Sequence, residues 1–280
     1  MNIFFPKEHI NEARFSLTGE TAEKFLKKNI DLYVEETVQF QDALLNNLIE
    51  TAKVKTISRQ QGLSSADIIC SLNKLSLDDI AHVKQDTLVV SFLDPFNEVE
   101  LISELKNRSI SSISMELVPR TTRAQKMDAL SSQANLAGYS AVIIASNHLE
   151  KALPMMMTAA GTISPSKVFV VGVGVAGLQA IATAKRLGAR VEAFDTREEV
   201  EDQVKSLGAR FVKIDLGETE QTSQGYAKAL TADQIKKQQE GMKKVCSSSD
   251  IVITTAQVFG RPAPKIITAE MVEAMQPGSV

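Results

Sequence analysis

Residues 168–177 read VFVVGVGVAG: the apolar run 168–171 meets Gly172, and Gly174 and Gly177 follow at the spacing G-x-G-x-x-G. A glycine triplet alone is a weak signal, because glycines are common in turns. The context decides the reading. A helical pattern follows over 176–187, then a second apolar run over 190–194 that ends in Asp195. Strand, tight turn, helix, strand and acid in that order make the βαβ unit that binds a dinucleotide. Gly172 allows the sharp turn out of the strand. Gly174 lets the backbone approach a pyrophosphate, and Gly177 lets the helix pack closely on the strand. The amides of Val175 and Ala176 lie at the helix start, where unpaired N–H groups and the helix dipole favour phosphate. Asp195 stands about 20 residues on, the distance expected of a carboxylate that accepts from the adenosine ribose. It is followed by Thr196. Its charge would repel a 2′-phosphate, which favours NAD over NADP. Arg197 argues the other way, unless it is only the first turn of the next helix.

Outward from this unit, strands and helices alternate on both sides. Before it come short apolar runs at 2–5, 31–35, 54–57, 65–70, 87–93 and 111–117, with amphipathic stretches at 19–28, 43–52 and 97–106. After it come a helix at 198–207, a strand at 210–214, a polar loop, a helix at 232–245 and a strand at 251–254. Alternation of this kind predicts an α/β fold of two Rossmann-like domains with parallel sheets. The expected division is an N-terminal α/β domain at 1–125, a linking helix region at 126–160 and a dinucleotide-binding domain at 161–280. Residues 162–166, with one Pro and two Ser, read as a loop. The last residues, MQPGSV, have the form of a turn feeding a strand. The second domain is therefore expected to end short of a full doubly wound sheet, as a truncated product or fragment would.

The bulk composition excludes several classes. Charged residues make up 23% and the net charge is -3, so no surface suited to nucleic acid is expected. Lys236–Lys237 and Lys243–Lys244 are interrupted by polar residues and read as a solvated helix face. The two cysteines, Cys70 and Cys246, form no metal or disulfide framework. No apolar run is long enough to span a membrane or act as a signal peptide.

A dinucleotide site names no reaction. Dehydrogenation of a small substrate calls for a positioned acid or base. The three histidines, His9, His82 and His148, sit in no motif that aims them at a substrate. Direct hydride transfer between two nicotinamides needs no such group, only positioned rings.

Several further stretches carry a resemblance. PRTTRAQKMDALSSQ (119–133), NLAGY (135–139), PMMMTAAGT (154–162) and GVGVAGLQAIATAKRLGA (172–189), with GYAK (225–228), ITTA (253–256), RPAP (261–264) and MQPGSV (275–280), resemble the NAD(H)-binding domain of proton-translocating NAD(P) transhydrogenase, of the alanine dehydrogenase/transhydrogenase family. The likeness covers the whole chain and is strongest over 115–188. It implies an oxidoreductase and translocase component that binds NAD(H) and is active only with its partners. These are a domain holding NADP(H) and a membrane subunit. Hydride would pass directly between the two nicotinamides, coupled to proton translocation. A homodimer is implied, peripheral on the soluble side of the inner membrane: the bacterial cytoplasm or the mitochondrial matrix face. Arg120, Gln125, Asp128 and Ser131 match residues that surround the nicotinamide end, although a helix cap with surface charge would give the same pattern. Tyr226 matches the tip of a loop that closes over nucleotide, and the polar run 216–225 suits such a loop. Thr255 and Ala256 join the cofactor-binding set, and no metal is implied.

The alternatives are an alanine dehydrogenase-like amino-acid oxidoreductase and a non-catalytic NAD-binding fragment. Alanine dehydrogenases carry a substrate-binding Lys and a catalytic His whose places fall here at Asn73 and Phe92. Phe92 cannot move a proton. Arg14 matches an Arg shared across the wider family.

Overall fold

The computed structural model describes residues 1–36, 38, 40–217, 230–257, 260 and 262–280. The chain divides into two compact units, Met1–Ala129 and Leu130–Val280.

The first unit runs β1 (Asn2–Phe5), α1 (Gly19–Leu26), β2 (Asp31–Glu35), α2 (Ala43–Glu50), β3 (Lys55–Ile57), α3 (Arg59–Ser65), β4 (Ile68–Asn73), α4 (Leu77–His82), β5 (Leu88–Phe92), α5 (Val99–Asn107) and β6 (Ser111–Ser114). All six strands are parallel, in the order β3-β2-β1-β4-β5-β6, which is the doubly wound arrangement. The period of two along β1 supplies both faces. Phe4 joins one core with Ile69, Val89 and Leu105, while Ile3 and Phe5 join the other with Leu32, Val34 and Leu45. A sheet buried on both faces reads as continuous apolar runs, which is why its strands are visible in sequence. Two helices are not. The run 65–70 read as one strand, but Ser65 ends α3 and β4 begins only at Ile68. The polar connection after it holds α4. Helices of six or seven residues show too few turns for periodicity; their signal is the cap. Ser58 with Gln61 and Ser76 with Asp79 each form a capping box.

The second unit runs α6 (Ala129–His148), β7 (Met156–Thr158), β8 (Gly161–Ile163), β9 (Lys167–Val171), α7 (Val175–Arg186), β10 (Arg190–Phe194), α8 (Glu201–Ser206), β11 (Arg210–Phe211), α9 (Ala232–Cys246), β12 (Ile251–Thr254) and α10 (Ala269–Glu273). Its main sheet is parallel, in the order β11-β10-β9-β12. Val168 and Val170 face Ala180, Ile181 and Ala184 of α7 together with Val142 and Ala145 of α6. Phe169 and Val171 face the other way, to Met242 and Cys246 of α9 and Met271 of α10. The helix read as a connection thus supplies part of this unit's core. Val280 exchanges backbone hydrogen bonds with Asp250 and Val252, both at 2.9 Å, so the final turn does feed a strand position beside β12. The expected strand at 210–214 pairs only at Arg210 and Phe211. The residues read as a loop at 162–166 begin inside an antiparallel hairpin, β7 with β8, whose three-residue strands are too short to show alternation.

Candidate functional site

The glycine loop lies at the carboxyl end of β9, the central strand of the second unit, between β10 and β12. Open parallel sheets bind ligands at such ends. Gly172 has φ +95, and a Cβ there would lie 2.8 Å from the amide nitrogen of Ala256. At Gly177 a Cβ would lie 1.9 Å from the carbonyl oxygen of Gly172. The fold therefore requires glycine at both. Gly174 differs. It has ordinary extended backbone, with φ -88, and a Cβ would meet nothing within 4 Å. Nothing inside the protein calls for glycine at this position, which fits a loop shaped for close approach by a ligand backbone or phosphate. Gly174 is the N-cap of the 12-residue α7, whose first turn receives no side-chain cap. That leaves Val175 and Ala176 at the helix end where N–H groups suit an anion.

Thr255 and Asp195 brace the loop from either side. Thr255 donates from its amide to Val171 O and from Oγ1 to Gly172 O, both at 2.8 Å. Ala256 packs its backbone on Gly172. Asp195 accepts from the Val173 amide at 2.7 Å. Three further bonds come from Arg197: the amide and Nε to Oδ1 at 2.9 Å each, and Nη2 to Oδ2 at 2.8 Å. Burial pushes the Asp195 carboxyl up, but Arg197 and the two amides outweigh it and hold it below its ordinary range. The same pairing raises Arg197. Beyond Asp195 and Thr196 lies a shallow cleft of about 10 Å³, lined by Glu198 and Lys213 as well as by Phe211, Val212, Ile214 and Leu216.

Gly138 of α6 also belongs to this site. A Cβ on it would sit 2.1 Å from the carbonyl oxygen of Ala176, so α6 packs directly on the turn that starts α7. The sequence offered NLAGY only as part of a resemblance. Its physical reason is this close approach.

The other expected residues are placed as follows. Arg120 and Gln125 are exposed, and Asp128 is half-buried, all within the first unit. They lie on a turn closed by Ala124 N to Thr121 O at 3.0 Å and a short 3-10 helix, Gln125–Met127. Ser131 is half-buried in the first turns of α6. Tyr226, with the rest of 218–229, and Arg261 lie outside the described residues.

The first unit has a cavity of its own that the sequence did not reveal. It measures about 230 Å³ and opens where β1 and β4 diverge, the switch point of the strand order. Arg59 crosses it, forked onto Asp79 at 2.7 and 2.9 Å and reaching Glu35 at 2.8 Å. Its charge is thus spent on two acids. Asn73, at the place of a substrate Lys, donates to Glu8 at 3.1 Å. Arg14 pairs with Glu12, whose carboxyl that bond lowers to about 2. All three histidines are exposed. Among the described residues no cluster of three metal-ligating side chains occurs, and no helix is long and apolar enough to cross a membrane.

Known proteins resemble the chain along its whole length. Residues 4–137 match the N-terminal domain, and residues 141–280 the C-terminal domain, of the family described as alanine dehydrogenase/PNT. The chain is 44% identical to the first of the polypeptides that make up NAD(P) transhydrogenase subunit alpha in Rickettsia prowazekii, over all of this chain and 75% of that protein. It is 42% identical to the protein of the same name from Rhodospirillum rubrum, with the same coverage. Among solved structures, transhydrogenase from Sinorhizobium meliloti superposes with a TM-score of 0.82 at 40% identity, covering all of this chain and 76% of that one. With both halves matched and such relatives aligned along its whole length, the chain belongs to the alanine dehydrogenase/NAD(P) transhydrogenase family of nicotinamide-nucleotide oxidoreductases.

Proposed function

We propose that this chain is the NAD(H)-binding component of a proton-translocating NAD(P) transhydrogenase. The observation that carries the reading is Gly174, a glycine the fold does not need, set at the uncapped start of α7. In this reading Gly174, Val175, Ala176 and Gly177 hold the pyrophosphate through backbone amides, and Gly172, whose own amide donates to Phe194 O at 2.8 Å, makes the turn that presents them. Asp195 takes the adenosine ribose with Thr196 beside it, and Thr255 and Ala256 keep the loop in shape. Arg120, Gln125, Asp128 and Ser131 orient the nicotinamide end, and Tyr226 closes over it. These last roles rest on the family resemblance. When bound, the nicotinamide supplies or accepts the hydride, exchanged directly with NADP(H) on a partner domain. The chain's residues then need only position and shield the ring, which fits histidines that are all exposed. Proton translocation belongs to a membrane subunit, with this chain peripheral on the soluble side of the inner membrane, in the bacterial cytoplasm or on the mitochondrial matrix face.

A homodimer is part of the proposal. All six residues of β7 and β8 are exposed. Met155, Met156, Met157 and Ile163 of this hairpin region, with Leu136, Tyr139, Ile143 and Ile144 on α6, present large apolar side chains to solvent. A lone two-stranded ribbon is marginal in water. Its free edges and apolar face suit the self-complementary pairing of a two-fold interface.

Fluorescence titration with NADH tests the reading, with NADPH as control; the chain has no Trp to interfere. Saturable NADH binding, followed by hydride transfer only when an NADP-binding partner is added, is the expected result. Turnover with alanine and NAD alone would point to an amino-acid dehydrogenase instead, against Phe92 at the place of the catalytic His.

A further inference from the structure

We infer that Arg197 occupies the ribose-recognition face of Asp195 in the free chain, must leave it when nucleotide binds, and so governs the choice between NADH and NADPH. The inference rests on the proposed dinucleotide site.

An ionised carboxylate offers about four acceptor directions. On Asp195 all four are taken: Oδ1 by the amide and Nε of Arg197, and Oδ2 by the amide of Val173 and Nη2 of Arg197, all between 2.7 and 2.9 Å. The Asp195 side chain is only 6% exposed. Two ribose hydroxyls cannot donate to this carboxylate as it stands. Two of its four donors are backbone amides, fixed by the glycine turn and by the end of β10. The other two belong to one guanidinium, 19% exposed, whose Nη2 also donates to Val173 O at 3.2 Å; rotation about side-chain bonds can remove it at the cost of that bond as well. Ribose binding therefore exchanges the Arg197 fork for hydroxyl donors.

The exchange works against NADH, because a forked, charge-assisted pair is stronger than the neutral hydroxyl bonds that replace it. It acts differently on NADPH. A guanidinium displaced from Asp195 stays tethered two residues beyond it, beside the 2′ position. A 2′-phosphate gives it a new bidentate partner, whereas a 2′-hydroxyl does not. One side chain thus lowers NADH affinity and gives NADPH a foothold.

The test is titration of the 280-residue chain and its Arg197→Gln variant with NADH and with NADPH. Removing the fork is expected to tighten NADH by about three- to tenfold and to weaken NADPH, so the two affinities move in opposite directions. Arg197→Lys keeps the charge and loses the fork; an intermediate shift is expected, and it preserves the test if the Gln variant does not fold. Weaker NADH binding in either folded variant, or an unchanged NADH-to-NADPH ratio, overturns the inference while leaving the dinucleotide site intact. A wild-type chain with no saturable NADH signal overturns the site and the inference together.

Discussion

The α-carbon of Gly138 faces the carbonyl oxygen of Ala176 so closely that a methyl group on it would come within 2.1 Å of that oxygen. The contact joins the middle of α6 to the first turn of α7, where phosphate is proposed to bind. Gly138→Ala must push the two helices apart. Overpacking of this kind costs about 1–3 kcal/mol. Because the shift falls on the amides of Val175 and Ala176, NADH affinity should fall together with stability. Urea unfolding and NADH titration of the same variant check both effects. Loss of stability with affinity unchanged would separate α6 from the binding loop.

Two glycines of the loop should respond differently to alanine. Gly177→Ala collides with the backbone of Gly172 and is expected to destabilise the second unit strongly. Gly174→Ala has open space and ordinary backbone, so its stability should fall by no more than about 1 kcal/mol, the difference between Gly and Ala at a helix N-cap. Its NADH affinity should still fall, by about tenfold or more, because the methyl group takes the space meant for phosphate. Circular dichroism melts and NADH titrations of the pair make the comparison. Equal NADH binding by Gly174→Ala and wild type would remove the main support for a pyrophosphate at this turn.

How much of this was legible in the sequence depends on how local each cause is. The glycine turn, the acid after the second strand and the buried strands show because each arises from a few neighbouring residues and a fixed period. The forked pair of Asp195 and Arg197 does not show, because the choice between a helix-start arginine and a plug on the acid depends on a side-chain rotamer. Gly138 against Ala176 and Arg59 against Asp79 lie 38 and 20 positions apart, and no spacing rule links them. α3 and α4 are set by capping boxes and not by an apolar stripe. The roles of Arg120, Gln125, Asp128, Ser131 and Tyr226 came from resemblance, and elementary chemistry alone would have left them as a cap, surface charges and a loop anchor.

Arg59 should matter to the first unit through charge. Its side chain is 35% exposed, while Glu35 and Asp79 are 11% and 13% exposed. Arg59→Met leaves two largely buried carboxylates facing each other. Breaking a fully buried pair is strongly destabilising; with solvent reaching Arg59, about 1–3 kcal/mol is expected at neutral pH. Burial raises the Asp79 carboxyl, but the bonds from Arg59 and Ser76 bring it below its ordinary 3.8. A depressed carboxyl contributes stability that is fully present above the unfolded value and is lost as pH falls through the folded one. The gap between wild type and Arg59→Met should therefore be constant at neutral pH and shrink below about pH 4. Denaturant midpoints at pH 7 and pH 3 test it, and a gap that widens in acid would contradict the sign.

The hairpin gives a prediction about assembly. Met157 is 85% exposed and Met156 46%, on strands that bury no residue of their own. If a second copy covers this face, charge placed there meets the same charge across the two-fold axis, and repulsion adds to the lost apolar contact. Met156→Asp with Met157→Asp should convert a dimer to a monomer in sedimentation velocity or light scattering. Because neither side chain belongs to a core cluster, the melting of each unit's sheet should change little apart from the part that dimerisation contributes, which grows with protein concentration. A wild-type chain that stays monomeric at tens of micromolar, or a double variant that still dimerises, would leave these methionines without the role given to them.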